Sequence, residues 1–268
     1  MTMLPVSLAD AFPTPDRRKG GRISLVGAGP GAADLLTLRA LNRLQEAEIV
    51  FYDRLVDPDV LEFCPQAERI YVGKEVGRHA WPQEKIDEVI VAAALQGRRV
   101  VRLKSGDPGV FGRATEELAA AAEHGIPIEI VPGVSAASAA GAALNRSLTE
   151  RGATDRLVFA TATCREGDET PEWVEVLRPG TTLALYMGVR KAPKIAADLL
   201  AAGVPGEVEV EIVASATTVR EKVARTCLSE LAATIAREEI ANPAIILIRY
   251  AKPLAQSRAM AVGVAAQA

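Results

Sequence analysis

Short apolar runs rich in branched side chains recur through the first half of the chain, each closed by glycine, proline or a charged residue. Residues 23–26, 49–52, 70–72, 99–103 and 128–131 are too short for buried helices and predict strands. Between them, residues 38–47, 83–95 and 115–124 space their apolar side chains at helical intervals, and Thr37 stands where an N-cap belongs. Strand and helix alternating over short turns predict a largely parallel sheet covered on both faces.

The pattern changes at Pro132-Gly133-Val134-Ser135-Ala136-Ala137-Ser138, a small, breaker-containing stretch that leads into an alanine-rich helix. Beyond it, residues 157–160, 182–186, 208–213 and 244–250 mix polar positions into strand-like runs, as half-exposed or antiparallel strands do. Val208-Glu209-Val210-Glu211-Ile212-Val213 is the clearest case, with glutamates expected on one face and apolar groups on the other. The reading is an α/β chain in two parts. It has a flexible arm at 1–21, an N-terminal α/β domain at 22–131, a C-terminal α/β domain at 132–255 and a tail at 256–268.

Composition narrows the function. A chain of 268 residues can bury a large core, and 49% apolar and 24% charged residues are ordinary for a soluble protein. A net charge of −3 gives no general attraction to nucleic acid or anionic membranes, so an anionic ligand requires a local basic cluster. Cys64, Cys164 and Cys227 are spaced for neither a disulfide framework nor a metal site, and no metal is expected. No run approaches membrane-spanning length, and the first twenty residues lack a signal-peptide core, so a cytoplasmic location is expected.

Gly27-Ala28-Gly29-Pro30-Gly31-Ala32 loosely satisfies a dinucleotide-binding pattern, which would make the chain a nicotinamide-dependent oxidoreductase. Pro30 has no N–H to offer a pyrophosphate, and the helical pattern starts only after Thr37. The loop is therefore too long and one donor short for that role; otherwise its glycines simply make a tight strand exit. Other candidate segments are Tyr52-Asp53-Arg54-Leu55-Val56, Val72-Gly73-Lys74, the stretch from Val101 to Arg113, Ile130 to Ala137, and Leu185-Tyr186-Met187-Gly188.

In order and spacing these segments, with Asn242-Pro243-Ala244-Ile245-Ile246, resemble the tetrapyrrole methylase family from about Arg22 to Pro253, nearest its uroporphyrinogen-III C-methyltransferase branch. The resemblance implies two α/β domains, a largely parallel N-terminal sheet and a mixed C-terminal one, with the active site in the trough between them, in a homodimer. It implies S-adenosylmethionine as methyl donor, bound folded, with S-adenosylhomocysteine as product. The implied reaction is methylation of uroporphyrinogen III at C2 and C7, through precorrin-1 to precorrin-2. Pro30, Ser105, Gly106, Asp107, Val110, Ser135, Ala136, Met187 and Ala216 fall where the family contacts the donor. The resemblance makes Asp53 the base and Lys74 the acid, with Arg113 and Glu116 in the catalytic set and Arg54, Arg113, Arg151 and Met187 facing the substrate. Guanidinium groups suit its carboxylates because they meet them in a fork. Two alternatives keep the fold: a sister methylase acting on a later corrinoid precursor, and a binding protein without turnover.

The chain departs from the family pattern at Ser105, Ala114, Thr115 and Ala216, where the family has glycine, at Glu150, where it has histidine, and at Ala162-Thr163. A glycine is replaced without strain only where φ is negative, so the backbone at these positions decides what the changes cost.

Overall fold

The computed structural model describes residues 20–73, 81–163 and 173–253. Lys74, Cys164, most of the N-terminal arm and the tail from 256 lie outside them. The five strands β1 (Arg22–Gly27), β2 (Ile49–Tyr52), β3 (Glu68–Tyr71), β4 (Arg99–Lys104) and β5 (Ile128–Val131) form one sheet in the order β3-β2-β4-β1-β5. Every neighbouring pair in it is parallel.

Successive residues of a strand face opposite ways, and here both faces are apolar. Ile49, Phe51 and Val100 join one cluster, against Ile86 and Ile90 of α3 (Gln83–Leu95) and Ala114 and Ala121 of α4 (Ala114–Glu123). Val50, Val101 and Leu103 join the other, against Ala40 and Leu44 of α1 (Leu38–Glu46) and Val60 of α2 (Pro58–Leu61). Thr37 caps α1 as the sequence suggested, its hydroxyl accepting from the Ala40 N–H at 3.1 Å.

After α5 (Ala136–Ala143) the chain builds a second sheet from β6 (Arg156–Thr161), β7 (Thr181–Tyr186), β8 (Glu209–Ala214), β9 (Lys222–Cys227) and β10 (Ala244–Tyr250). Its order is β6-β7-β10-β8-β9, with β6 and β7 parallel and the other pairs antiparallel. The α5 helix covers one face through Ala137, Ala140 and Leu144. The other face carries α6 (Trp173–Val176), α7 (Ala192–Ala201) and α8 (Leu231–Arg237).

Two expectations change. The sequence pattern missed β9, an edge strand on which only Ala224 is buried and Lys222 and Arg225 face solvent. Charged, weakly alternating edges are how sheets discourage further pairing, and they erase the periodic signal. The β8 glutamates share a face as expected, but only Glu209 is half-exposed: Glu211 is 1% exposed and lies 3.4 Å from both Arg146 and Arg225.

Candidate active site

Parallel strands deliver all their exits to one edge of a sheet, which is where α/β proteins place ligands. Here three exits meet on glycine. The Gly29 N–H donates to the Gly106 carbonyl at 3.3 Å, and the Gly106 N–H donates back at 2.6 Å. A Cβ on Gly27 would stand 2.6 Å from the Gly106 oxygen and the Gly133 nitrogen, and one on Gly133 would stand 2.3 Å from the same oxygen. The loops after β1, β4 and β5 therefore touch backbone to backbone. Asp107 ties them further, one carboxylate oxygen accepting from the Gly109 N–H at 2.7 Å and the other from the Gly133 N–H at 3.0 Å. The first loop is thus committed to its neighbours. It continues into the short turn Ala33–Leu35 before α1 begins, so no helix N-terminus faces it as a pyrophosphate cradle would need.

A second centre lies at the exits of β2 and β4. On β4, Val100, Arg102 and Lys104 share a face, and charge replaces apolar packing toward its carboxyl end. Arg102 is 4% exposed, Lys104 5% and Glu117 of α4 not at all. Lys104 donates to both Glu117 oxygens, at 2.8 and 2.7 Å, and the Arg102 Nε donates to Glu117 at 3.2 Å. The far end of the same guanidinium reaches Asp53 at 3.3 Å, whose other oxygen accepts from the Leu55 N–H at 3.1 Å. Burial, and then the neighbouring Arg102, push the Lys104 ammonium below its ordinary pKa. Burial raises the Asp87 carboxyl, which accepts from Gln83 beside Glu117.

One edge of the second sheet faces these loops. The Ala32 N–H donates to the Thr217 hydroxyl at 3.0 Å, and the Phe111 and Tyr186 rings lie 4.9 Å apart. The Tyr186 hydroxyl accepts from the Ala137 N–H at the start of α5, and burial raises its pKa. Met187 follows, 46% exposed. Phe111, Arg113, Met187, Ser215 and Thr217 all hold φ between 47° and 66°. Non-glycine residues in that region are strained, and such strain concentrates at functional sites.

These contacts gather Pro30, Ser105, Gly106, Asp107, Val110, Ser135, Ala136, Met187 and Ala216 around the junction of the two sheets, with Asp53 beside them. Ser135 caps α5, accepting from the Ser138 N–H at 3.3 Å. Arg54 is exposed at the β2 exit. Arg113 is exposed at the start of α4 and donates to Glu116 at 2.9 Å, which holds the Glu116 carboxyl below its usual pKa.

Arg151 is elsewhere. Its turn, closed by Glu150 and Thr154, adjoins Arg249 at the edge of the second sheet opposite Met187. A cavity of about 340 Å³ opens there, lined by charges of both signs including Arg146, Glu150, Glu209 and Arg249. The departures from glycine are explained by the backbone: Ser105, Ala114, Thr115 and Ala216 are not among the positive-φ residues, whereas the retained Gly106 has φ +71°. Sequence reasoning overlooked Arg102, Lys104 and Glu117 as a buried unit. The available signal was two cations sharing one face of a strand otherwise reading as buried.

Residues 22–232 match the family described as Tetrapyrrole (Corrin/Porphyrin) Methylases. The chain is 44% identical over 243 residues to a siroheme synthase of Tolumonas auensis, covering 90% of this chain and 52% of that protein. It is 42% identical over 232 residues to that of Pseudomonas putida strain W619, covering 86% of this chain and 50% of the relative. The chain thus spans about half the length of these curated relatives. Among solved structures it resembles a uroporphyrin-III C-methyl transferase of Thermus thermophilus complexed with S-adenyl homocysteine, at 37% identity and a TM-score of 0.73 over 85% of this chain and 92% of that one. A cobalt precorrin-4 methyltransferase superposes with a TM-score of 0.77 at 30% identity, covering 85% and 95%.

Proposed function

The chain belongs to the tetrapyrrole methylase family, and on that premise we propose that it is a uroporphyrinogen-III C-methyltransferase using S-adenosylmethionine. It methylates C2 and C7 and forms precorrin-2 by way of precorrin-1. The observation that carries the reading is the backbone-to-backbone junction of the β1, β4 and β5 exits beside a braced Asp53. Higher identity to the uroporphyrin-III enzyme than to the cobalt precorrin-4 enzyme favours this substrate over a later corrinoid precursor.

The donor-facing residues fit a compact nucleoside thioether. Small residues at 105–106 and 135–136 admit a ligand to the backbone, and each Asp107 oxygen keeps a lone pair for a hydroxyl. Bound there, the donor supplies an electrophilic methyl group. Asp53 takes the pyrrole N–H proton as electron density moves from nitrogen to the ring carbon being methylated. Alignment of the two reactants supplies much of the acceleration. Lys74 acts as acid or neutralises a propionate, and Arg54 and Arg113 hold other carboxylates. Glu116 accepts from the Arg113 Nε and steadies that fork. Residues 22–131 form the tetrapyrrole side of the trough and 132–255 complete its donor side. Homodimerisation and a cytoplasmic location complete the proposal on the same family grounds; light scattering tests the first.

The test is incubation with methyl-labelled S-adenosylmethionine and anaerobically prepared uroporphyrinogen III. Two labelled methyl groups per macrocycle are expected. Label entering only a later corrinoid precursor, or NAD binding with no response to S-adenosylhomocysteine, overturns it.

A further inference from the structure

We propose that Glu117, fully buried behind Arg102 and Lys104, is a positioning residue for Asp53 that acts through Arg102. The inference rests on the reading of Asp53 as the base. The Arg102 side chain is 5% exposed, and its planar guanidinium is pinned on three sides: Nε by Glu117, and Nη1 by the carbonyls of Leu103 at 2.8 Å and Phe51 at 3.4 Å. A rigid fork fixed at these points has one direction left for Nη2, and that direction is Asp53. With the Leu55 N–H on its other oxygen, the Asp53 carboxylate is held in plane while 30% of its side chain stays open to a substrate.

The charges explain why Glu117 is needed. Arg102 and Lys104 are two buried cations side by side, and Glu117 is the anion that meets both. From α3, Gln83 also reaches Glu117, and Asp87 sits behind Gln83. Asp53 meets Arg102 from the other side, so two basic and two acidic side chains form one connected chain. Buried ion pairs add little stability over apolar packing of the same volume. A four-charge chain ending on one half-exposed carboxylate at a sheet's ligand edge is therefore better explained by the orientation of that carboxylate.

The experiment is a mutant cycle on the intact chain with Glu117→Gln, Asp53→Asn and the double variant. Methyl-transfer kinetics and calorimetry with S-adenosylhomocysteine are the readouts. Glu117→Gln is expected to lower kcat by about ten- to a hundredfold, the scale set by misplacing one reacting group. Donor affinity and KM should stay unchanged, and the double variant should be no slower than Asp53→Asn alone. Additive losses, a parallel fall in donor affinity, or a wild-type rate for Glu117→Gln overturns the proposal. Where Glu117→Gln fails to fold, the charge-neutral pair Lys104→Met with Glu117→Gln enters the same cycle. A normal rate for Asp53→Asn defeats the base assignment itself. A slow Asp53→Asn with additive Glu117→Gln defeats only the positioning.

Discussion

Gly133→Ala tests whether three loops touching through bare backbone hold the site together. Gly133 is not among the residues at positive φ, so the added methyl costs nothing conformationally and everything sterically. The new Cβ would lie 2.3 Å from the Gly106 oxygen and 2.9 Å from the Gly27 Cα, both backbone atoms that cannot rotate away. Relief requires the loops to part by about 1 Å, a shift of the kind that costs overpacked cores about 1–3 kcal/mol. That shift also stretches the paired Gly29–Gly106 hydrogen bonds and the Asp107–Gly133 bond, the last worth about 1.5–3 kcal/mol as a charge-assisted contact. The expected outcome is a lower thermal midpoint together with at least about a tenfold loss of S-adenosylhomocysteine affinity by calorimetry. Gly106→Ala is the comparison, because its Cβ would meet nothing closer than 3.9 Å while φ is +71°. It should cost only the left-handed penalty of about 1–2 kcal/mol. Gly133→Ala with wild-type midpoint and affinity would refute the close junction.

Asp53→Asn should lose at least about a hundredfold in kcat with donor affinity unchanged; a near-normal rate moves the proton step elsewhere. Arg113→Ala should weaken tetrapyrrole binding by about ten- to a hundredfold and donor binding little, whereas Arg151→Ala, at the opposite edge, should change neither. Equal effects of the two in fluorescence titrations would place the substrate differently. The Arg146 guanidinium holds the Glu209 carboxyl below its usual pKa, so the pair's stabilisation is complete above the unfolded value of about 4.3 and fades as pH falls through the lower folded one. Arg146→Met should therefore lower the thermal midpoint at pH 7, with the deficit shrinking toward pH 3; a pH-independent deficit would assign the loss to packing.

The first sheet was legible because Ile49, Val50 and Phe51 are buried whichever way they face, and such a run survives any detail of tertiary packing. The strand exits proposed for the donor stood out because glycine and proline announce backbone geometry directly. Arg102 and Glu117 did not, since a charged residue ordinarily reads as solvated, and only α4 folding back on β4 brings the countercharge within reach. Glu211 shows the same limit: alternation located its face, but its burial beside Arg146 and the Arg225 of the neighbouring strand appears only in the fold.

The strand order β3-β2-β4-β1-β5 has a consequence for how such an enzyme diversifies. The exits assigned to the methyl donor belong to the contiguous strands β4, β1 and β5, while Asp53 leaves β2 and Gly73 follows β3 on the outer flank. On the proposed assignment the donor exits and Asp53 lie next to one another along one sheet edge, and Arg113, given to the substrate, follows the same β4 exit as the donor residues. The glycine contacts between the β1, β4 and β5 exits involve neither Arg54 nor Leu55, so these two exposed positions vary independently of that junction. Substitution at Arg54 and Leu55 is thus a route to testing new acceptors while the glycine junction stays as it is.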